Sequence, residues 1–195
     1  MRIIRMALIS FAALAIVSTA KADILLEPYL GYTYGQAKID PVVGSGSTYD
    51  MNNLAVGARF GWQFLVAMVG LDYTMPVSGK FKATSTGATD YDYSGSQLWA
   101  YAGARLPLIR AWAGYSLTST TELKDATGTS TITGDGLKVG ASFTGFPLIA
   151  INAEYIMNNA KKIKSGAAEW DIPGTSYSKA TQNFFMLSVS APLSF

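Results

Sequence analysis

Eight stretches of this chain carry apolar residues at every second position, and that period constrains the fold more than any other feature. Period two puts the apolar side chains on one face of an extended strand, whereas a helix needs a repeat near 3.6. The stretches are roughly 24–36, 53–63, 65–76, 94–106, 109–119, 136–145, 149–159 and 181–195. Over 137–143, Leu137, Val139, Ala141 and Phe143 share one face, and Lys138, Gly140 and Ser142 the other. In the last stretch Phe185, Leu187, Val189, Ala191, Leu193 and Phe195 line up on one side.

The connections alternate in length. Tight turns are expected around Gln63-Phe64, Pro107-Leu108 and Phe146-Pro147, and long polar loops over roughly 37–52, 77–93, 120–135 and 160–180. The long ones hold the turn formers, such as Asp40-Pro41, Gly44 to Gly46, Gly128, Gly166 and Pro173-Gly174. An internal echo runs through the chain. Gly57-Ala-Arg-Phe, Gly103-Ala-Arg-Leu and Gly140-Ala-Ser-Phe each precede a tight turn, an apolar pair and a strand that reaches Tyr73, Tyr115 or Tyr155. Ser190-Ala-Pro-Leu resembles the same half-unit once more, and four similar hairpins in series imply an even number of strands, each paired with its sequence neighbour.

The first 22 residues read differently. Arg2 and Arg5 precede an apolar run from Met6 to Val17, and Ala20 and Ala22 have the A-x-A spacing of a signal-peptidase site. The run is shorter than the ~20 residues of a membrane-spanning helix. The expectation is a cleaved signal peptide over 1–22 and one domain over 23–195. Loss of Arg2, Arg5 and Lys21 takes the 15 basic residues to 12 against 13 acidic, a formal charge of −1. That balance gives no basic surface for nucleic acid.

No stretch after Ala22 is apolar for long enough to cross a bilayer as a helix, yet the chain is 49% hydrophobic and only 14% charged. Soluble domains average about 25% charged. If such a chain enters lipid it does so as strands, and lipid tolerates strands only in a closed barrel, where every backbone N–H and C=O is paired.

Alternation alone does not say which face meets lipid, since a soluble barrel alternates too. The polar face decides. It is mostly Gly, Ser, Thr and Asn, with about one charge per strand: Glu27, Arg59, Asp72, Arg105, Arg110, Lys138 and Glu154. So sparse and nearly balanced a set suits a narrow lumen, where an unpaired charge costs several kcal/mol. Arg59, Arg105, Arg110 and Glu27 are expected near the tight-turn rim and Asp72, Lys138 and Glu154 higher, in two inward clusters. Arg110 and Glu27 also lie near enough to strand ends to reach water. Trp99, Tyr101 and Trp112 share the polar parity, so either they fill the lumen or a bulge shifts the register of their strands. Tyr32, Tyr34, Phe60, Trp62, Tyr73, Phe143, Tyr155, Phe185 and Phe195 lie toward the ends of the apolar face, as interfacial girdles do.

With these features the chain resembles the small eight-stranded outer-membrane barrels, the superfamily of the outer membrane protein A transmembrane domain and its single-domain relatives. The resemblance covers 23–195. It implies an all-β, antiparallel, up-and-down transmembrane β-barrel of eight strands, with short periplasmic turns and four long extracellular loops, in the outer membrane of a Gram-negative bacterium. Leu187, Val189, Ala191, Leu193 and Phe195 resemble the terminal signal read by the barrel assembly machinery, although Pro192 departs from that pattern. Membrane lipids, lipopolysaccharide included, are then the expected surroundings. Side-by-side association would suit the smooth strip Ala100, Ala102, Ala104, Ala111 and Ala113.

Catalytic chemistry has little to build on. The sequence has no Cys and no His, so the His-activated hydroxyl of the lipid-modifying barrels is missing. No cofactor or metal motif is present, and the paired acids Asp90/Asp92 and Glu169/Asp171 read as solvated loop charges. Lys161, Lys162, Lys164 and Lys179 form a basic cluster that could meet lipopolysaccharide phosphates or simply keep a loop soluble. The functional expectation is a non-enzymatic structural or surface-interaction protein. The alternative is a narrow pore, suggested by the small residues Gly57, Gly61, Gly70, Gly103, Gly114 and Gly140 on the inner face, and a lipid-modifying enzyme stands third.

Overall fold

A computed structural model describes residues 22–84, 90–124 and 128–195. Residues 1–21, most of the expected signal peptide, lie outside them. Ten strands follow in order: β1 (Ala22–Pro41), β2 (Ser47–Phe64), β3 (Ala67–Ala83), β4 (Tyr91–Arg105), β5 (Ile109–Lys124), β6 (Thr129–Phe143), β7 (Ala150–Ser165), β8 (Ala168–Asp171), β9 (Tyr177–Ser190) and β10 (Leu193–Ser194). Each long strand pairs antiparallel with the next, and β9 pairs with both β7 and β1, so β1–β7 and β9 close an eight-stranded barrel. The short β8 folds back on the end of β7. Closure leaves no edge strand along the staves and satisfies the backbone where lipid cannot.

The last strand closes the barrel down to the final residue. Ser190 faces Tyr29, and Leu193 faces Leu26 in the same register, so Pro192 does not shift the alignment, and Ala191 just before it still donates its N–H to Pro28 O at 3.0 Å. Phe195 donates its N–H to Ile24 O at 3.1 Å and accepts from Ile24 N at 3.0 Å.

At the tight-turn end, β2 and β3 are joined by Leu65-Val66 alone, with Leu65 at φ 52°. That left-handed conformation matches a two-residue hairpin to the twist of its strands. At the other end the strands run well past their expected limits. β1 reaches Pro41, β3 reaches Ala83, β5 reaches Lys124 and β7 reaches Ser165, each taking up residues expected in loops.

The reason is a set of β-bulges, which insert one extra residue and change which parity faces inward. On β3, Leu54 faces Ser78 while Ala55 faces Pro76, leaving Val77 as the extra residue. Leu117 plays the same part on β5 and Lys161 on β7. Below each bulge the odd-numbered residues point outward, as Leu71, Tyr115 and Tyr155 do; above it they point inward, as Phe81, Leu123 and Ile163 do.

The consequence is a barrel of two zones. Toward the tight turns the outside is apolar and the inside polar. The expected girdle residues are all exposed there: Phe60 and Trp62 meet edge-on at 5.6 Å, and Tyr34, Phe185 and Tyr155 are successive cross-strand neighbours. Apolar groups on that scale are not stable facing water and mark the lipid-facing band. Toward the loops the polarity reverses. Lys80, Lys82, Asp92, Glu122, Lys124 and Lys162 point out, while Met51, Phe81, Tyr93, Leu123, Ile132 and Ile163 pack inside.

Candidate functional site

The lumen of the lipid-facing zone is the most organised polar region of the molecule. Pairing registers set its geometry. Glu27 faces Arg59 across β1 and β2, and Arg59 faces Asp72 across β2 and β3, so three charges of alternating sign form one row. Inward parity on β5, β6 and β7 adds Arg110, Lys138 and Glu154 from the far wall.

These six side chains form a single chain of contacts rather than two clusters. Arg110 grips Glu27 with two hydrogen bonds, Nη1 to Oε2 at 2.8 Å and Nη2 to Oε1 at 2.6 Å. Ser190 donates its hydroxyl to Glu27 Oε1 at 2.5 Å. Arg59 Nη1 lies 3.5 Å from the same oxygen, and its Nε donates to Asp72 Oδ2 at 3.1 Å. Its Nη2 donates to Glu154. Lys138 Nζ then binds Asp72 Oδ2 at 2.5 Å and lies 3.5 Å from Glu154 Oε2. Tyr29 donates its hydroxyl to Asp72 Oδ1 at 2.8 Å. Arg59 therefore joins the lower and upper members that sequence spacing keeps apart.

All six are within 2% of complete burial. Glu27 and Arg110 do not reach water. Three carboxylates meet three cations, so the layer is neutral, and each charge has an opposite partner, which is what makes burial tolerable. Arg105 stays apart. It is exposed at the tight-turn rim and donates to Gln63.

Aromatic rings complete the layer, and Trp99, Tyr101 and Trp112 all fill the lumen. The Arg59 guanidinium sits 4.4 Å from the Trp112 ring and 4.7 Å from the Tyr29 ring, and Lys138 Nζ lies 4.9 Å from Trp99. Stacking of this kind adds to the stability of a desolvated cation. The inner glycines accommodate these rings. A Cβ on Gly61 or Gly70 would stand 2.8 or 2.9 Å from Tyr101 Oη, and one on Gly140 would meet the Trp112 indole. The small residues therefore hold space that large ones occupy. Deeper toward the loops, the gap beside Thr74, Tyr93, Gln97 and Phe184 measures about 10 Å³, room for one water at most.

Two of the four lysines in the basic cluster at the loop end pair with acids. Lys161 contacts Asp135 at 2.6 Å, and Lys162 contacts Glu169 at 2.6 Å. Hydrogen bonding to Lys162 holds the Glu169 carboxyl below the usual glutamate range, and the same contact raises Lys162. Sequence spacing places Glu169 and Asp171 near these lysines, and Lys162 meets both across the β7–β8 hairpin, whereas the partner of Lys161, Asp135, comes from β6 and has no such signal.

No protein-family model and no curated protein matches the chain in sequence. Solved structures do match in fold. Ail, the attachment invasion locus protein of Yersinia pestis, solved with the heparin analogue sucrose octasulfate, superposes with a TM-score of 0.56 at 15% identity, covering 87% of this chain and 99% of Ail. OprG from Pseudomonas aeruginosa gives 0.55 at 10% identity over 89% and 97% of the two chains. Neisserial surface protein A gives 0.50 at 16% identity over 84% and 96%. Identities this low speak for the fold, and the fold of this chain is that of the small eight-stranded outer-membrane barrels.

Proposed function

We propose that this chain is a non-conducting, non-enzymatic outer-membrane barrel with a structural or surface-presenting role. The observation that carries the reading is the neutral layer of six buried charges and its packed rings, which occupies the lumen in the lipid-facing zone. An ion crossing there would have to separate buried pairs, at a cost of several kcal/mol each. The acids and bases are committed to each other, which leaves none poised for proton transfer, and the sequence offers no His or Cys. In this reading residues 1–22 serve export, the outward row ending at Phe195 serves recognition by the assembly machinery, and membrane lipids are the constant partners.

The test is conductance in planar bilayers, using protein whose folded state is verified by heat-modifiable gel migration. Folded protein is expected to give no steady current steps above lipid alone. Steady ohmic steps from the folded band would replace this reading with that of a narrow pore.

A further inference from the structure

Above the bulges the barrel is polar outside and apolar inside. That arrangement is useless for holding the protein in lipid. It resembles instead a soluble binding barrel, in which the lumen is the only shelter from water. Among the described residues the top of this zone is not packed shut. A cavity of about 260 Å³ opens at the loop rim, walled by Ile39, Tyr49, Leu123, Ile132, Ile163 and Tyr177. Its walls come from β1, β2, β5, β6, β7 and β9, so it lies within the mouth of the barrel and not in a surface fold. Its floor is the buried cluster around Phe81, Tyr93 and Phe184, and the ion-pair layer lies beneath.

The lining fixes the chemistry of an occupant. Among the described residues no charged side chain is part of it, and the polar groups are hydroxyls such as those of Ser47, Ser130 and Tyr177. An ion would lose its hydration with nothing in exchange, whereas an uncharged ring system with a hydroxyl would keep its hydrogen bond and lose only unfavourable apolar contact with water. The volume lies just below the range typical of drug-sized ligands, which suits one or two fused rings. We propose that the mouth of this barrel is a blind binding site for a small, neutral, mainly apolar ring compound, taken up from the outer face and not passed through. This goes beyond the non-conducting reading: the blind end of the site rests on that reading, while the binding itself does not.

The test uses the full barrel in lipid nanodiscs with 1-naphthol as probe and empty nanodiscs to subtract partitioning into lipid, read by saturation-transfer NMR. Saturable binding at one site per barrel is expected, with 1-naphthalenesulfonate at least tenfold weaker. Ile163→Arg and, as a milder change, Leu123→Gln should each weaken naphthol at least tenfold while heat-modifiable migration is kept. Lys164→Gln, on the outward face, should change nothing. Signal no greater than in empty nanodiscs, equal binding of the sulfonate, or unchanged binding in both pocket variants would overturn the proposal. So would displacement of naphthol by monocaprin at equal concentration, which would assign the mouth to an acyl chain.

Discussion

Arg59 is the residue on which the lumen depends, because it touches all three buried carboxylates. Removing its charge leaves Glu27, Asp72 and Glu154 facing only Arg110 and Lys138. Breaking a buried pair from one side costs about 3–5 kcal/mol, since the orphaned charge stays buried. Arg59→Met is therefore expected to lower unfolding stability by roughly that amount in urea titrations from lipid vesicles, and a further Asp72→Asn change should recover part of it by restoring balance. Arg105→Met, at the exposed rim, should stay within about 0.5 kcal/mol of the parent. Equal losses for Arg59→Met and Arg105→Met would mean that the layer is not a coupled unit. The members of this layer were legible in the sequence as sparse charges on a polar parity. The grouping expected from spacing departs from the structure in two respects. Arg105 belongs to the rim and not to the layer. Asp72 is expected above Arg59, yet the two lie equally far from the Leu65-Val66 turn, and a two-residue hairpin puts such residues opposite each other. Contacts across the lumen, such as Arg59 to Glu154, depend on barrel closure and have no local signature.

At the scale of the element, the bulges explain both what the alternation revealed and where it misled. On β3, β5 and β7 the apolar residues keep one parity from end to end: Leu71, Tyr73 and Phe81, or Ala113, Tyr115 and Leu123, or Ile151, Tyr155 and Ile163. One extra residue per strand turns that parity from lipid to lumen. A bulge leaves little trace in composition, and the charged outward residues beyond it read as loop, so the strands were expected to stop where they only change face. The account has a direct test in β5. Deleting Leu117 removes the extra residue and would turn Leu123 toward water and Lys124 toward the apolar lumen. The expected result is new protease cleavage at the loop end in intact vesicles, with the lipid-facing zone still protected. Leu117→Ala keeps the bulge and should remain resistant. Unchanged resistance in the deletion would show that the bulge does not set the facing of the upper strand.

At the scale of the whole molecule, the two zones make three environments within one narrow barrel: a lipid-facing exterior, a packed neutral lumen and a water-facing mouth. The 4 tryptophans sample all three. Trp62 is 45% exposed on the apolar outside, Trp99 and Trp112 are buried in the charged layer, and Trp170 packs edge-on against Tyr177 at 6.2 Å near the rim. Variants keeping one tryptophan each, with the others changed to Phe, convert this arrangement into an optical measurement. In vesicles of brominated lipid, Trp62 emission should be strongly quenched and that of the other three little affected. Aqueous acrylamide should quench Trp170 and leave Trp62 largely protected. Trp99 and Trp112 should resist both quenchers, because lipid is kept from them by the barrel wall and water by the packed layer. Trp112 is the critical case: its ring is stacked on Arg59 beside Gly140 of β6, so acrylamide quenching there would mean an open, wet lumen, the condition under which the narrow-pore alternative regains its footing.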